Sequence, residues 1–259
     1  MKSVIVIPAR YGATRFPGKS LARIAGRPMI QWVWEAASRS RLTEQVVVAT
    51  DDDRIADVAA KFGADVIMTK KSHRSGTDRV AEVADKISAQ LYVNVQGDEP
   101  LLSPAAVDDL IRGMMESPRV PIGTLAHHIE SEAEWRSPEV VKVVCNRHHE
   151  ALYFSRSPLP FQRTFNAKVR LLRHVGIYAF RAQALATFVS LKPSPLEIAE
   201  SLEQLRALEH GMVIQVIETK YRCLGVDTPA DLARVEAALR KLARSQSSQP
   251  RGKTRRRKK

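Results

Sequence analysis

The sequence predicts an α/β protein with a mostly parallel central sheet flanked by helices. Short apolar runs rich in Val and Ile alternate with longer segments whose apolar residues recur every three and four positions. That alternation indicates βαβ crossovers, which cover a sheet on both faces. A chain of 259 residues, 44% hydrophobic and 27% charged, can bury a sizeable core and still form a cleft. The same composition excludes a disordered, collagen-like or disulfide-framed chain.

The first strands read as Val4–Ile7, Val46–Ala49, Val66–Met68 and Leu91–Val95, each short enough to be buried. Helical patterns over Met29–Ser38, Arg54–Phe62 and Thr77–Ser88 lie between them. The second half is less regular. Val140–Cys145, Ala151–Ser155, His174–Phe180 and Val213–Ile217 read as strands. Pro195–His210 reads as one helix with Leu196, Leu202, Leu205 and Leu208 inward. A last helix is expected from about Pro229 to Leu242, with Thr228 as N-cap and Pro229 at the first position. No repeat and no linker divides residues 1–244, which form one unit with a sub-domain at about 120–190.

Charge is unevenly placed. The formal net charge is +13, from 41 Lys+Arg against 28 Asp+Glu. Residues 245–259 hold seven of those cations, including Arg255-Arg256-Arg257-Lys258-Lys259, and no acid, which leaves +6 for the body. The stretch Ser245–Pro250 offers no large apolar side chain to offset the entropy of ordering, so 245–259 is expected to be a disordered basic tail. Such a tail can bind nucleic acid nonspecifically and in a salt-dependent way, or contact an anionic membrane surface. No run approaches 18 apolar residues, so no membrane insertion is expected. Met1-Lys2-Ser3 leads straight into a strand without the apolar region of a signal peptide, which points to the cytoplasm. Cys145 and Cys223, far apart and without CxxC spacing, read as reduced and non-ligating.

In sheets of this kind ligands bind beyond the carboxyl ends of the strands. After Val4–Ile7 comes Pro8-Ala9-Arg10-Tyr11-Gly12-Ala13-Thr14-Arg15-Phe16-Pro17-Gly18-Lys19-Ser20. Its glycines and its cations Arg10, Arg15 and Lys19 suit a polyphosphate. It is not a P-loop: GxxxxGKS/T needs four residues between the glycines, Gly12 and Gly18 have five, and no helix begins directly at Ser20. Asn94-Val95-Gln96-Gly97-Asp98-Glu99-Pro100 then sets Asp98 on the same cleft edge as Arg10 and Lys19, with Gly97 permitting a tight turn. Gly225-Val226-Asp227-Thr228-Pro229 adds a second carboxylate before a helix. Two hard carboxylates beside a basic loop suit Mg²⁺-assisted chemistry on a nucleotide.

These motifs, taken in order, resemble the 3-deoxy-manno-octulosonate (KDO) cytidylyltransferases. The resemblance rests on Ile7–Arg10, Arg15–Lys19, His73-Arg74-Ser75-Gly76-Thr77-Asp78-Arg79 and Asn94–Pro100. It continues through Ala151–Arg156, Arg173–Tyr178, Ser194–Glu197, Leu202–Arg206 and Gly225–Pro229, over about residues 3–240. It implies a nucleotide-diphospho-sugar transferase-like, Rossmann-like fold. It also implies transfer of CMP from CTP to KDO for lipopolysaccharide synthesis, with Mg²⁺ as cofactor, in a homodimer. By position, Arg10, Arg15 and Lys19 would hold the CTP phosphates, Arg74 and Ser75 would lie at the cytosine, and Asp98 and Asp227 would bind Mg²⁺. Gln96, Arg156, His174, Tyr178, Glu203 and Gln204 would line the sugar pocket. Lys19, Asp98, Asp227 and Arg10 are the expected catalytic set. KDO is a carboxylated sugar, so a cation such as Arg156 is expected beside it. Read alone, His174 is better taken as a core histidine in a strand; Tyr178, four residues on, shares its strand face, which favours a shared pocket wall. The alternatives are a cytidylyltransferase for another acidic sugar, such as 8-amino-KDO or sialic acid, and a nucleic-acid-binding protein acting through the tail.

The sequence departs from the family pattern in three places. Ser20 stands where proline is usual, the Phe161–Leu172 segment is short and carries Arg163, Lys168 and Arg170, and the basic tail is extra. The pairs His127-His128 and His148-His149 read as strand neighbours facing opposite ways, hence poor metal sites. Trp32 and Trp34 read as core and surface of one helix, and Trp135 lies in a polar stretch with no evident role.

Overall fold

The computed structural model describes residues 1–12, 16–166, 168–222, 225–226 and 228–247, with side chains described to residue 240. Arg15, Cys223, Asp227 and tail residues 248–259 lie outside the described residues.

The chain opens with β1 (Ser3–Ala9), a 3-10 turn (Lys19–Leu21), the small hairpin β2 (Arg23–Ile24) and β3 (Arg27–Pro28), and α1 (Met29–Ala37). Next come β4 (Gln45–Thr50), α2 (Asp53–Lys61), β5 (Asp65–Met68), α3 (Gly76–Lys86) and β6 (Leu91–Asn94). Then follow α4 (Pro104–Glu116), β7 (Ile122–His128), α5 (Glu132–Arg136), β8 (Lys142–Cys145), β9 (Ala151–Ser155) and β10 (Leu172–Arg181). The chain continues through α6 (Ala182–Ser190), α7 (Pro195–Glu200), α8 (Leu205–Glu209), β11 (Ile214–Glu218) and α9 (Pro229–Ser247).

The main sheet has the order β11-β7-β10-β6-β1-β4-β5. Strands β6, β1, β4 and β5 pair in parallel, as do β7 and β11, and β10 runs against both its neighbours. The sheet is therefore mostly parallel. In β1, Val4 to Ile7 are all fully buried, as a central strand covered on both faces requires. Ile5 and Ile7 pack with Ile30 and Val33 of α1, Ile55 of α2 and Leu110 of α4. Val4 and Val6 face the other way, toward Val80 and Val83 of α3, Phe188 of α6 and Leu205 of α8. Within residues 120–190, β7 and β10 are strands of the main sheet. The ribbon β8–β9 leaves it where Leu172 and Arg173 pair with Val143 and Lys142.

Several expectations are corrected. The helix expected over Pro195–His210 is two. Ser201 adopts a left-handed conformation (φ 53°), and Glu203 and Gln204 sit in the break before α8. Arg206 of α8 folds back onto Glu197 of α7, Nη2 to Oε1 2.6 Å and Nε to Oε2 2.8 Å, which holds the two helices against each other. Leu196 is exposed rather than inward, while Leu202 and Leu205 are buried. Helix α9 runs to Ser247, because Lys241-Leu242-Ala243-Arg244 are all strong helix formers, and it takes in the first three residues expected in the tail. Trp135 is buried with Ile129, Val140 and Leu171 and donates from Nε1 to the Leu159 carbonyl at 3.0 Å. Trp32 and Trp34 are both half-buried, against separate clusters. His148 and His149 sit in a turn and not on a strand, because His149 has φ 61°. Among the described residues, no helix is long and apolar enough to cross a membrane.

Candidate active site

The carboxyl ends of β1, β5 and β6 open onto one cleft of about 180 Å³. Its walls carry Arg10 and Lys19 from the first loop, Arg74 and Ser75 from the loop before α3, and Gln96 and Asp98 from the turn after β6. Six residues singled out in the sequence thus meet in one place. Lys19 Nζ reaches Asp98 Oδ2 at 2.5 Å across the cleft. Gly97 serves here by close approach and not by an unusual φ: a Cβ on it would stand 3.0 Å from the Pro8 carbonyl oxygen. Gly18 does need its left-handed φ of 71° to enter the 3-10 turn that carries Lys19.

The loop before α3 is built as a capped helix start. Ser75 Oγ accepts the Asp78 N–H at 3.2 Å, and Asp78 Oδ2 accepts the N–H groups of Ser75 (3.1 Å) and Arg74 (3.0 Å). The Ser75 side chain is therefore the helix cap, and the exposed Arg74 side chain faces the cleft. Two further wall residues, His73 and Arg79, were not singled out individually, although both lie inside the quoted His73–Arg79 motif. The Arg79 guanidinium is buried, donating to Thr69 Oγ1 (2.7 Å) and Asp51 Oδ2 (3.0 Å), and so ties the ends of β4 and β5 to α3. Glu82 accepts from the Lys70 N–H (2.9 Å) and lies 2.6 Å from His73 Nε2. Its hydrogen bond from Lys86 leads a set of contacts that holds its carboxyl down to about 2.

From the cleft a polar path runs toward β10. Gln96 Nε2 is 3.5 Å from the Gly176 carbonyl, at the bulge where β10 slips against β7. Thr77 Oγ1 donates to Glu203 Oε2 at 2.7 Å, and burial pushes the Glu203 carboxyl up against the pull of that bond. Glu203 and Gln204 line a small second cavity with Tyr178. Among the described residues, the Tyr178 hydroxyl, Gln204 Nε2 and Asn94 Oδ1 are buried without a hydrogen-bond partner. His174 and Tyr178 do share a face of β10, ring centroids 5.3 Å apart. His174 packs edge-on to Phe154, its Nε2 lies 3.0 Å from Thr124 Oγ1, and burial pushes its pKa down to about 3. Arg156 lines neither cavity. Its Nε donates to the Glu200 carbonyl (3.0 Å) and its Nη1 to the Pro138 carbonyl (3.1 Å).

Arg15 and Asp227 lie outside the described residues, but the segment leading to Asp227 is anchored. The Val226 N–H donates to the Asp98 carbonyl at 2.9 Å, and Val226 itself is buried against Ile24, Met29 and Val235. Cys145 is a free thiol, and its burial pushes its pKa up to about 11.

A doubly covered, mostly parallel sheet whose strand ends gather arginine, lysine and a carboxylate around one cleft defines a nucleotidyltransferase, and the cytidylyltransferase family profile matches residues 4–219. The 3-deoxy-manno-octulosonate cytidylyltransferase of Geobacter sulfurreducens is 52% identical over 245 residues, covering 91% of this chain and 98% of that protein. That of Syntrophotalea carbinolica is 51% identical, covering 93% and 100%. A solved structure of CMP:2-keto-3-deoxy-manno-octonic acid synthetase complexed with CTP superposes with a TM-score of 0.88 at 48% identity, covering 93% of this chain and 100% of that one. The chain belongs to the 3-deoxy-manno-octulosonate cytidylyltransferase family.

Proposed function

We propose that this enzyme transfers CMP from CTP to the anomeric hydroxyl of KDO, releasing CMP-KDO and pyrophosphate. One observation carries the reading: the cleft gathers Arg10, Lys19, Arg74 and Asp98, and behind its wall residue Gly76 the Thr77–Glu203 bond lies near buried polar atoms of Tyr178, Gln204 and Asn94 that have no partner among the described residues. Buried polar atoms ordinarily have partners, so this end of the path suits a polyhydroxylated ligand that supplies them. The cationic end suits a triphosphate. Arg10, Arg15 and Lys19 hold the phosphates, and Arg74 with the backbone of its capped loop meets the base. Gln96, His174, Tyr178, Glu203 and Gln204 bind the sugar, and Arg156, whose guanidinium here rests on the Glu200 and Pro138 carbonyls, is the cation expected to turn to its carboxylate.

Asp98 and Asp227 are the residues that would hold Mg²⁺. Magnesium is ordinarily bound by one or two carboxylates together with substrate phosphates. Asp98 fits, since it is a half-exposed hard-oxygen donor on the cleft wall, and the Val226 N–H ties Asp227's neighbour to Asp98's own carbonyl. When bound, the ion neutralises phosphate charge and lowers the pKa of the attacking hydroxyl. The side chains align the hydroxyl with the α-phosphorus and balance charge on the departing pyrophosphate, and no covalent enzyme intermediate is required. We further place the enzyme in the cytoplasm as a homodimer serving lipopolysaccharide synthesis, following its family.

The test is pyrophosphate release with CTP and a panel of acidic 2-keto-3-deoxy sugars. Release should require CTP, KDO and Mg²⁺ together. Faster turnover of 8-amino-KDO or sialic acid than of KDO would reassign the substrate.

A further inference from the structure

The cleft cations Arg10 and Lys19 flank a loop, and its neck is held from outside the cleft. Gly18 N–H donates to the Tyr11 carbonyl at 2.8 Å, which joins the residue after Arg10 to the residue before Lys19. Where Gly18 lacks a Cβ, the Tyr11 ring fills the space, 3.1 Å from the position that atom would take. Over the face of the same ring lies the Arg54 guanidinium, 3.3 Å from the ring centroid. Arg54 is itself locked. Its Nε and Nη2 donate to Asp52 Oδ1 (2.9 Å) and Oδ2 (2.7 Å), a fork that sets the plane of the guanidinium. Asp52 is at the same time the N-cap of α2, accepting the Arg54 N–H at 3.0 Å. The stack is thus fixed to a helix packed on the sheet. Neither Arg54 nor Tyr11 is among the residues that line the cleft.

We infer that Arg54 is a positioning residue for the nucleotide: stacked on Tyr11, it fixes the Tyr11–Gly18 junction and with it the placement of the adjoining Arg10 and Lys19. The inference rests on the reading of this cleft as the CTP site. A lysine would keep the charge but would neither stack nor fork, so it should not substitute.

The experiment is a double-mutant cycle on Arg54→Ala and Tyr11→Ala, with Arg54→Lys and Tyr11→Phe alongside. It reads the KM for CTP, the KM for KDO and kcat, together with CTP affinity by calorimetry. Arg54→Ala should raise the CTP KM and dissociation constant about three- to fivefold, the scale of one cation–π contact at an exposed site. The KDO KM and the melting temperature should stay at wild-type values. In the Tyr11→Ala background the same change should cost less than twofold, because its target is gone. Arg54→Lys should behave like Arg54→Ala, and Tyr11→Phe, which keeps the ring, should stay within twofold of wild type. An undiminished effect in the Tyr11→Ala background would overturn the inference, since Arg54 would then act on the nucleotide directly; so would an unchanged CTP affinity in Arg54→Ala. A wild-type chain that binds CTP with the non-additive cycle intact but releases no pyrophosphate would remove the proposed reaction and leave this inference standing.

Discussion

Lys19 and Asp98 lie 79 positions apart in sequence, yet Lys19 Nζ and Asp98 Oδ2 are 2.5 Å apart across the cleft. The lysine enters from a 3-10 turn set by left-handed Gly18, and the aspartate from a turn pressed onto the Pro8 carbonyl at Gly97. The pair spans the two parallel strands β1 and β6, which are neighbours in the sheet. The group proposed to hold metal and a cation proposed to hold phosphate therefore sit within one bond of each other.

Asp98→Asn keeps the volume and removes the negative charge. Turnover in the pyrophosphate-release assay, at saturating CTP, KDO and Mg²⁺, should fall on the order of 10³-fold, as expected for losing a principal charge-stabilising group. Circular dichroism should show an unchanged fold, because Asp98 is half-exposed and its carbonyl bond to Val226 is retained. Near-normal turnover would sink the metal assignment.

Lys142 is fully buried, and its ammonium donates to the carbonyls of Ser137 (2.9 Å), Val140 (2.6 Å) and Arg156. Burial pushes its pKa down to about 8. It is the knot between the α5–β8 loop and the end of β9, next to the Arg156–Glu200 contacts. Lys142→Met strands three acceptors, at a cost of about 3 kcal/mol. The melting temperature should drop by about 5–10 °C on that account. A drop below one degree would show that the cage contributes nothing.

His174 supplies a pH dependence. Its folded pKa, near 3, lies below the ordinary 6.5, so in that interval the unfolded chain binds the extra proton. Stability attributable to this residue is complete above about pH 6.5 and is lost as pH falls toward 3, at up to about 1.4 kcal/mol per pH unit. Chemical denaturation at pH 7.5, 6.0 and 5.0 should show a shallower decline in His174→Gln than in the wild type. Parallel curves would mean that the ring takes up its proton without penalty.

Much of the fold was legible in the sequence, because the strands of a doubly covered parallel sheet announce themselves as apolar runs. Val4–Ile7, Leu91–Val95 and Ala151–Ser155 fall on observed strands, with ends displaced by at most two residues. The cleft residues were legible for a related reason: Arg10, Lys19, Gln96 and Asp98 sit one to a few residues past strand ends, where a parallel sheet directs its loops to one edge. The break at Ser201 was not legible. Leu202, Leu205 and Leu208 keep helical spacing, and the chain instead turns at left-handed Ser201, where the Arg206–Glu197 contact holds α8 back on α7.

Residue types and their order therefore settled the class of fold, the edge on which chemistry happens and the charge of its ligand, since apolar period and loop position are local properties. Tertiary structure decided which of the charged side chains act. It bound Arg156 to two carbonyls, set Arg54 on Tyr11 and brought Glu203 to Thr77. Those outcomes depend on distances between segments as far as 126 positions apart, which only the packing of the helices on the sheet can set.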